Sequence, residues 1–76
     1  MEWKIEVETN CGYRINGYPL RFRIGERCLE ILEIEDRWFS KGFCYFKVFT
    51  DNAKHYILKR SADTGIWSAW EVRVNS

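Results

Sequence analysis

The chain is short of nearly every pattern that carries catalysis, metal binding or membrane insertion. Its 76 residues include one histidine, His55, and three cysteines, Cys11, Cys28 and Cys44. Structural zinc draws on closely spaced ligand pairs, because one turn then presents two ligands together. The gaps of 17, 16 and 11 residues along Cys11, Cys28, Cys44 and His55 contain no such pair. A Cys–His nucleophile needs a base beside the thiol and a group that orients the base. The sequence puts no carboxylate next to His55, and Cys44 lies inside an apolar run, where a free cysteine behaves as a small hydrophobe. The five glycines are isolated and none opens a phosphate-cradling loop into a helix. These shortages point away from an enzyme, a metal site and a cofactor.

An odd number of irregularly spaced cysteines is not a disulfide framework. No apolar run approaches the roughly 18–20 residues of a membrane span. Residues 1–9 alternate charged and apolar side chains, which is not the pattern of a signal peptide. A reducing cytoplasm with free thiols, and no membrane partner, is the expectation. Net charge is only +1. Residues 1–36 hold eight acids and five bases, residues 37–76 three acids and seven bases. That asymmetry hints at an interaction surface, although an antiparallel sheet mixes distant segments in space.

What the chain has in quantity is aromatic residues: four Trp, four Tyr and five Phe. A chain of this size has a thin core. A buried aromatic removes about 150–250 Å² from water, so aromatic enrichment is first a stability device.

Period-two alternation dominates. Trp3, Ile5 and Val7 share one face and Lys4, Glu6 and Glu8 the other, the mark of a half-buried strand. Asn16-Gly17 is a hairpin turn signal, and Pro19 restricts the start of the next strand. Leu20, Phe22 and Ile24 alternate with Arg21 and Arg23, and Gly25-Glu26 reads as a tight turn. Between Arg27 and Trp38 the phase slips: Leu29 and Ile31 fit one face, Leu32 and Ile34 the other. The slip predicts a β-bulge, with a helix over residues 26–37 as the rival reading.

After the loop Ser40-Lys41-Gly42, the run 43–50 places Cys44, Phe46 and Val48 on one side. Phe43, Tyr45, Lys47 and Phe49 take the other. Asp51-Asn52-Ala53 turns the chain into 54–60, where Tyr56 and Leu58 oppose His55, Ile57 and Lys59. Beyond the turn Asp63-Thr64-Gly65, the alternation sets Ile66, Ser68, Trp70 and Val72 against Trp67, Ala69 and Glu71. The pattern predicts one all-β domain over residues 1–76: an antiparallel meander of about six short strands, curled into a barrel-like or half-open sheet.

Two kinds of binding fit this composition. Interfaces with proteins are enriched in Trp, Tyr, Phe and Arg, and Trp67, opposite the Ile66/Trp70/Val72 face, is the foremost candidate, followed by Trp38 and Phe39. Small barrels also bind single-stranded nucleic acid by stacking bases on aromatics beside a basic groove. Arg37, Trp38, Tyr45, Lys47, Lys59 and Arg60 would serve that role, although the near-neutral charge is far from the usual basic footprint. A protein-interaction module, whose partner is another protein or a second copy, is the leading expectation. Nucleic-acid binding is the alternative.

From Pro19 onward one further pattern stands out. It comprises Pro19, Phe22 and Gly25; Ile34, Asp36, Arg37 and Trp38; Tyr45, Phe46, Lys47 and Val48; Tyr56, Ile57 and Leu58; and Thr64, Gly65, Trp67 and Val72. It resembles a family of small bacterial domains of unknown function. Members also occur as a C-terminal appendage of catalytically inactive relatives of translesion DNA polymerases. The resemblance implies an association with DNA repair and transfers no catalytic residue. Residues 1–18 lie outside it and read as an additional strand.

Overall fold

A computed structural model describes residues 2–10 and 18–73. The Asn16-Gly17 turn expected from the sequence lies outside the described residues. Six strands follow in chain order: β1 (Trp3–Asn10), β2 (Tyr18–Ile24), β3 (Arg27–Ser40), β4 (Phe43–Thr50), β5 (His55–Ser61) and β6 (Trp67–Val72). Every neighbour pairs antiparallel, and β1 pairs with β6 as well as with β2. The expected meander is therefore closed into a barrel.

β3 explains how so few strands close. A straight strand of its 14 residues would run about 45 Å, longer than the greatest dimension of the molecule, 36 Å. It has to bend, and it does so at two bulges, where Leu32 and Glu35 are the extra residues. The rival helix is overturned by this pairing. The sequence also put Ile34 on the side away from Leu29 and Ile31. The bulge at Leu32 leaves that side chain exposed and returns Ile34 to the interior opposite Val48.

The bend divides the barrel into two sheets that share β1 and β3. Residues 27–30 of β3 pair with β2, which pairs with Glu6–Asn10 of β1, making a small three-stranded sheet. Residues 31–40 of β3 continue through β4, β5 and β6 to Trp3–Ile5, making a five-stranded one. Between the sheets lie Ile5, Phe22, Leu29, Phe46, Val48, Tyr56, Leu58 and Ala69, all buried. Phe22 meets Tyr56 edge-on at 5.4 Å, tying one sheet to the other.

The turns follow from local chemistry. Gly25 takes a left-handed φ of 59° at the first position of the β2–β3 turn, as a type II′ turn requires. Lys41 and Gly42 both have positive φ, the type I′ arrangement that matches strand twist. The β4–β5 turn is latched from within. Buried Thr50 shares its hydroxyl proton between Asn52 Oδ1 and the Lys54 carbonyl, and Asn52 donates to Tyr56 Oη at 3.1 Å. Among the described residues no helix is long and apolar enough to cross a membrane.

Candidate functional site: two unlike outer faces

Each sheet has an outer face, and the two differ in chemistry. On the small sheet the outward positions are charged and mutually paired. Arg21 bridges Glu8 at 2.6 Å and Glu30 at 2.7 Å, and Arg23 meets Glu6 at 2.5 Å. Cross-strand register sets these partners opposite one another, and the two carboxylates push the Arg21 pKa upward. This face is wet and its two guanidiniums are fully engaged by three carboxylates.

The outer face of the large sheet is aromatic. Directly opposed cross-strand residues point to the same side of a sheet, so register reads out the surface row by row. Trp38, Tyr45, Lys59, Ser68 and Lys4 form one row. Asp36, Lys47, Ile57 and Trp70 form the next, and Glu33, Phe49, His55 and Val72 the third. Trp38 stacks on Tyr45 with centroids 5.2 Å apart and planes 5° from parallel. Tyr45 in turn meets Trp70 edge-on at 6.4 Å and Phe43 at 6.3 Å. These rings are half-buried because they cover one another and not because the core covers them. Each such pair contributes about 0.5–1.5 kcal/mol beyond its buried area, so the cluster holds its shape before any partner arrives.

Charges ring the cluster in opposed pairs. Lys59 Nζ lies 4.7 Å from the Phe43 ring centroid and 3.4 Å from Glu2 Oε2. The Ser68 hydroxyl and then Lys59 hold the Glu2 carboxyl below its usual range. His55 rests against Phe49 at 4.9 Å, its Nδ1 2.6 Å from Glu35 Oε1. A carboxylate only accepts, so Nδ1 carries the proton in that contact. The sequence offered no carboxylate for His55; the bulge at Glu35 supplies one from 20 residues away. Beside the cluster an open groove of about 510 Å³ runs past Lys4, Phe43, Lys59, Thr64 and Ile66.

The residues singled out in the sequence divide into two groups. Trp38, Tyr45, Lys47 and Lys59 come together on the aromatic outer face. Arg37 and Arg60 do not join them, and Trp67 meets Phe43 and Lys59 only along the groove beside the cluster. Arg37 pairs with Phe46, and Arg60 shares the inward side of Leu58, so both guanidinium-bearing positions face the barrel end around Cys44. Arg37 sits 5.8 Å from the Phe39 ring. Burial pushes the Cys44 thiol pKa up, against the opposing pull of Arg37 and Arg60.

Trp67 is a correction. The alternation along β6 was read with Trp67 outside and Trp70 inside, and the barrel reverses it. Ala69 is fully buried against Leu58, Trp67 packs on Phe46 at 5.8 Å, and Trp70 stands outside against Tyr45. Phe43 and Trp70 are the members of the cluster that sequence reasoning left out of the binding set. The identity of β6's outer side became visible only through its register with β5.

Cys44 and His55 occupy opposite sides of the sheet, so they form no nucleophile–base pair. Among the described residues no three His, Cys, Asp or Glu side chains are grouped to hold a metal ion. Comparison with family models, with curated proteins and with solved structures finds no match for this chain, so the site stands on its own geometry.

Proposed function

We propose that this domain is a protein-interaction module that binds through the outer face of its large sheet. One observation carries the reading. Trp38, Phe43, Tyr45 and Trp70 form a contiguous ring cluster on the solvent side of a closed barrel, where they add nothing to the enclosed core. Among the described residues, positions 31–40 of β3 pair with β4 alone, which leaves an edge for strand addition, whereas the ring cluster offers side chains from the adjoining face. Aromatic anchors surrounded by paired charges have the composition of an interface centre and its rim. The opposite face, saturated by its own ion pairs, has nothing comparable to offer.

Single-stranded nucleic acid is the second reading, favoured by the flat Trp38–Tyr45 stack. The neighbouring cations weaken it. Lys59 is engaged by Glu2, Lys47 stands across from Asp36, and Arg37 and Arg60 face another side. The free thiols Cys28 and Cys44 support a reducing cytoplasm as the setting. The resemblance from Pro19 onward adds DNA repair as the process in which a partner would be sought.

A photo-crosslinking residue placed at Tyr45, and in a second protein at Glu8, tests the proposal in cells that express the chain. A discrete protein adduct from Tyr45 and none from Glu8 is expected. Equal adducts from both faces, or none from Tyr45, would sink it. Titration with fluorescent oligonucleotides separates the second reading, because phosphate contacts make affinity fall steeply with salt.

A further inference from the structure

We infer that the groove beside the aromatic cluster receives an acidic segment of the partner protein, one carboxylate carried next to one apolar side chain. The inference rests on the proposed function and names the chemistry of the partner's contact.

The groove lies where the start of β4, the end of β5, the turn after it and the start of β6 meet β1. Its volume of about 510 Å³ falls in the roughly 300–1,000 Å³ range of sites that hold a compact group. Phe43, Ile66 and Trp67 give it apolar surface, and Ile66 is 50% exposed there. Phe43 also belongs to the ring cluster, 6.3 Å from Tyr45. Groove and cluster are therefore one continuous surface, and a partner seated on the rings reaches the groove.

The polar groups of the groove leave donors to spare. Glu2 is taken by Lys59 at 3.4 Å and by the Ser68 hydroxyl. Glu6, two residues from Lys4 and on the same side of β1, is held by Arg23 at 2.5 Å. Among the described residues Lys4 has no carboxylate of its own. Two hydroxyls are in the same condition. Ser61 Oγ accepts from the Thr64 amide at 3.3 Å, and Thr64 Oγ1 accepts from the Ile66 amide at 3.2 Å. A hydroxyl that accepts keeps its own proton to donate. Among the described residues neither proton has an acceptor.

One spare ammonium and two spare O–H donors beside an apolar wall are complementary to a single carboxylate on an apolar body. A nucleic acid fits this groove less well. It carries a charge on every nucleotide, and phosphates on either side of the first would lie against Glu2 and Glu6.

Two capped tetrapeptides test this, Ac-Ala-Trp-Glu-Ala-NH2 and the same peptide with Gln in place of Glu. Each is titrated into the isotope-labelled full chain and followed by backbone amide NMR. The Glu peptide is expected to shift the amides of Lys4, Thr64, Ile66 and Ser68 saturably, with Kd about 1 mM for so small a contact. The Gln peptide should bind about fivefold more weakly, because a hydrogen bond to a charged group is roughly twice as strong as a neutral one. Lys4→Met should erase that difference and Lys4→Arg should keep it. Equal affinities for the two peptides overturn the inference, as does the lack of a saturable shift at these amides up to about 10 mM. So does a difference that survives Lys4→Met in a folded protein. If that variant does not fold, the two peptides on the wild-type chain decide. An eight-nucleotide oligothymidylate that moves the same amides at lower concentration than the Glu peptide assigns the groove to nucleic acid and overturns the inference too. A Tyr45 adduct that persists after any of these failures removes only the groove. The absence of any adduct from Tyr45 removes the interaction face itself.

Discussion

Ile57 and Leu58 are adjacent on β5, alike in volume, and on opposite sides of the sheet. Replacing each by alanine separates core from surface within one strand. Leu58 is fully buried among Phe46, Ala69 and their neighbours. Leu58→Ala loses the transfer energy of its methyl and methylene groups and leaves a cavity that the barrel wall cannot collapse into, about 3 kcal/mol together. Ile57 is half-buried on the outer face, so solvent occupies the vacated space and no enclosed cavity forms. Half the transfer energy of the lost carbons is about 1 kcal/mol. A domain of this length has roughly 4–11 kcal/mol of total stability, so the first change removes a large share and the second does not. At about 2 cal/mol/K per residue, the expected fall in Tm is about 20 °C for Leu58→Ala and about 7 °C for Ile57→Ala. Urea titrations followed by tryptophan fluorescence give both free energies. Ile57→Ala should lower the yield of the Tyr45 adduct while remaining well folded. Equal destabilisation by the two substitutions would refute the assignment of inside and outside on which the binding face depends.

Three further outcomes are expected. Lys41→Asn should raise stability by about 0.5 kcal/mol in urea titration, because Asn tolerates the left-handed φ of 51° that a type I′ turn imposes there. Glu2 has its carboxyl pKa lowered, by the Ser68 hydroxyl and then by Lys59. A depressed folded pKa contributes stability that is present at neutral pH and lost as pH falls through that folded value. Glu2→Gln should therefore flatten the acid limb of the stability–pH curve, with an unchanged limb counting against the contact. Mass spectrometry after brief alkylation at neutral pH should find exposed Cys28 modified well before Cys44, whose thiol is half-buried with a raised pKa. Comparable rates at the two sites would show that the Cys44 environment is more open than the structure has it.

Strand positions were legible in the sequence because a pleated chain repeats every two residues and its turns need Gly, Asn or Asp. The sequence of β4 does carry a marker of which side is outside. Phe46 and Val48 had Tyr45 and Lys47 as alternates, and a charge on one side marks it as the outside. In β6 that marker misleads. Glu71 shares the side of Trp67 and Ala69, yet register with β5 turns that side inward, where Glu71 meets Lys54, while Trp70 stands on the aromatic outer face. Alternation says which residues share a side and never which side is enclosed.

By itself, then, the sequence determined an all-β meander, its turns and the presence of an irregularity in β3. Tertiary structure decided closure through the β1–β6 pairing, the number of bulges, the choice of Trp67 over Trp70 for the interior, and the gathering of Trp38, Phe43, Tyr45 and Trp70 on the outside of the large sheet. These are consequences of register between strands distant in sequence. Register is settled by how side chains from separate strands fill a common interior, a quantity that no single strand's pattern contains.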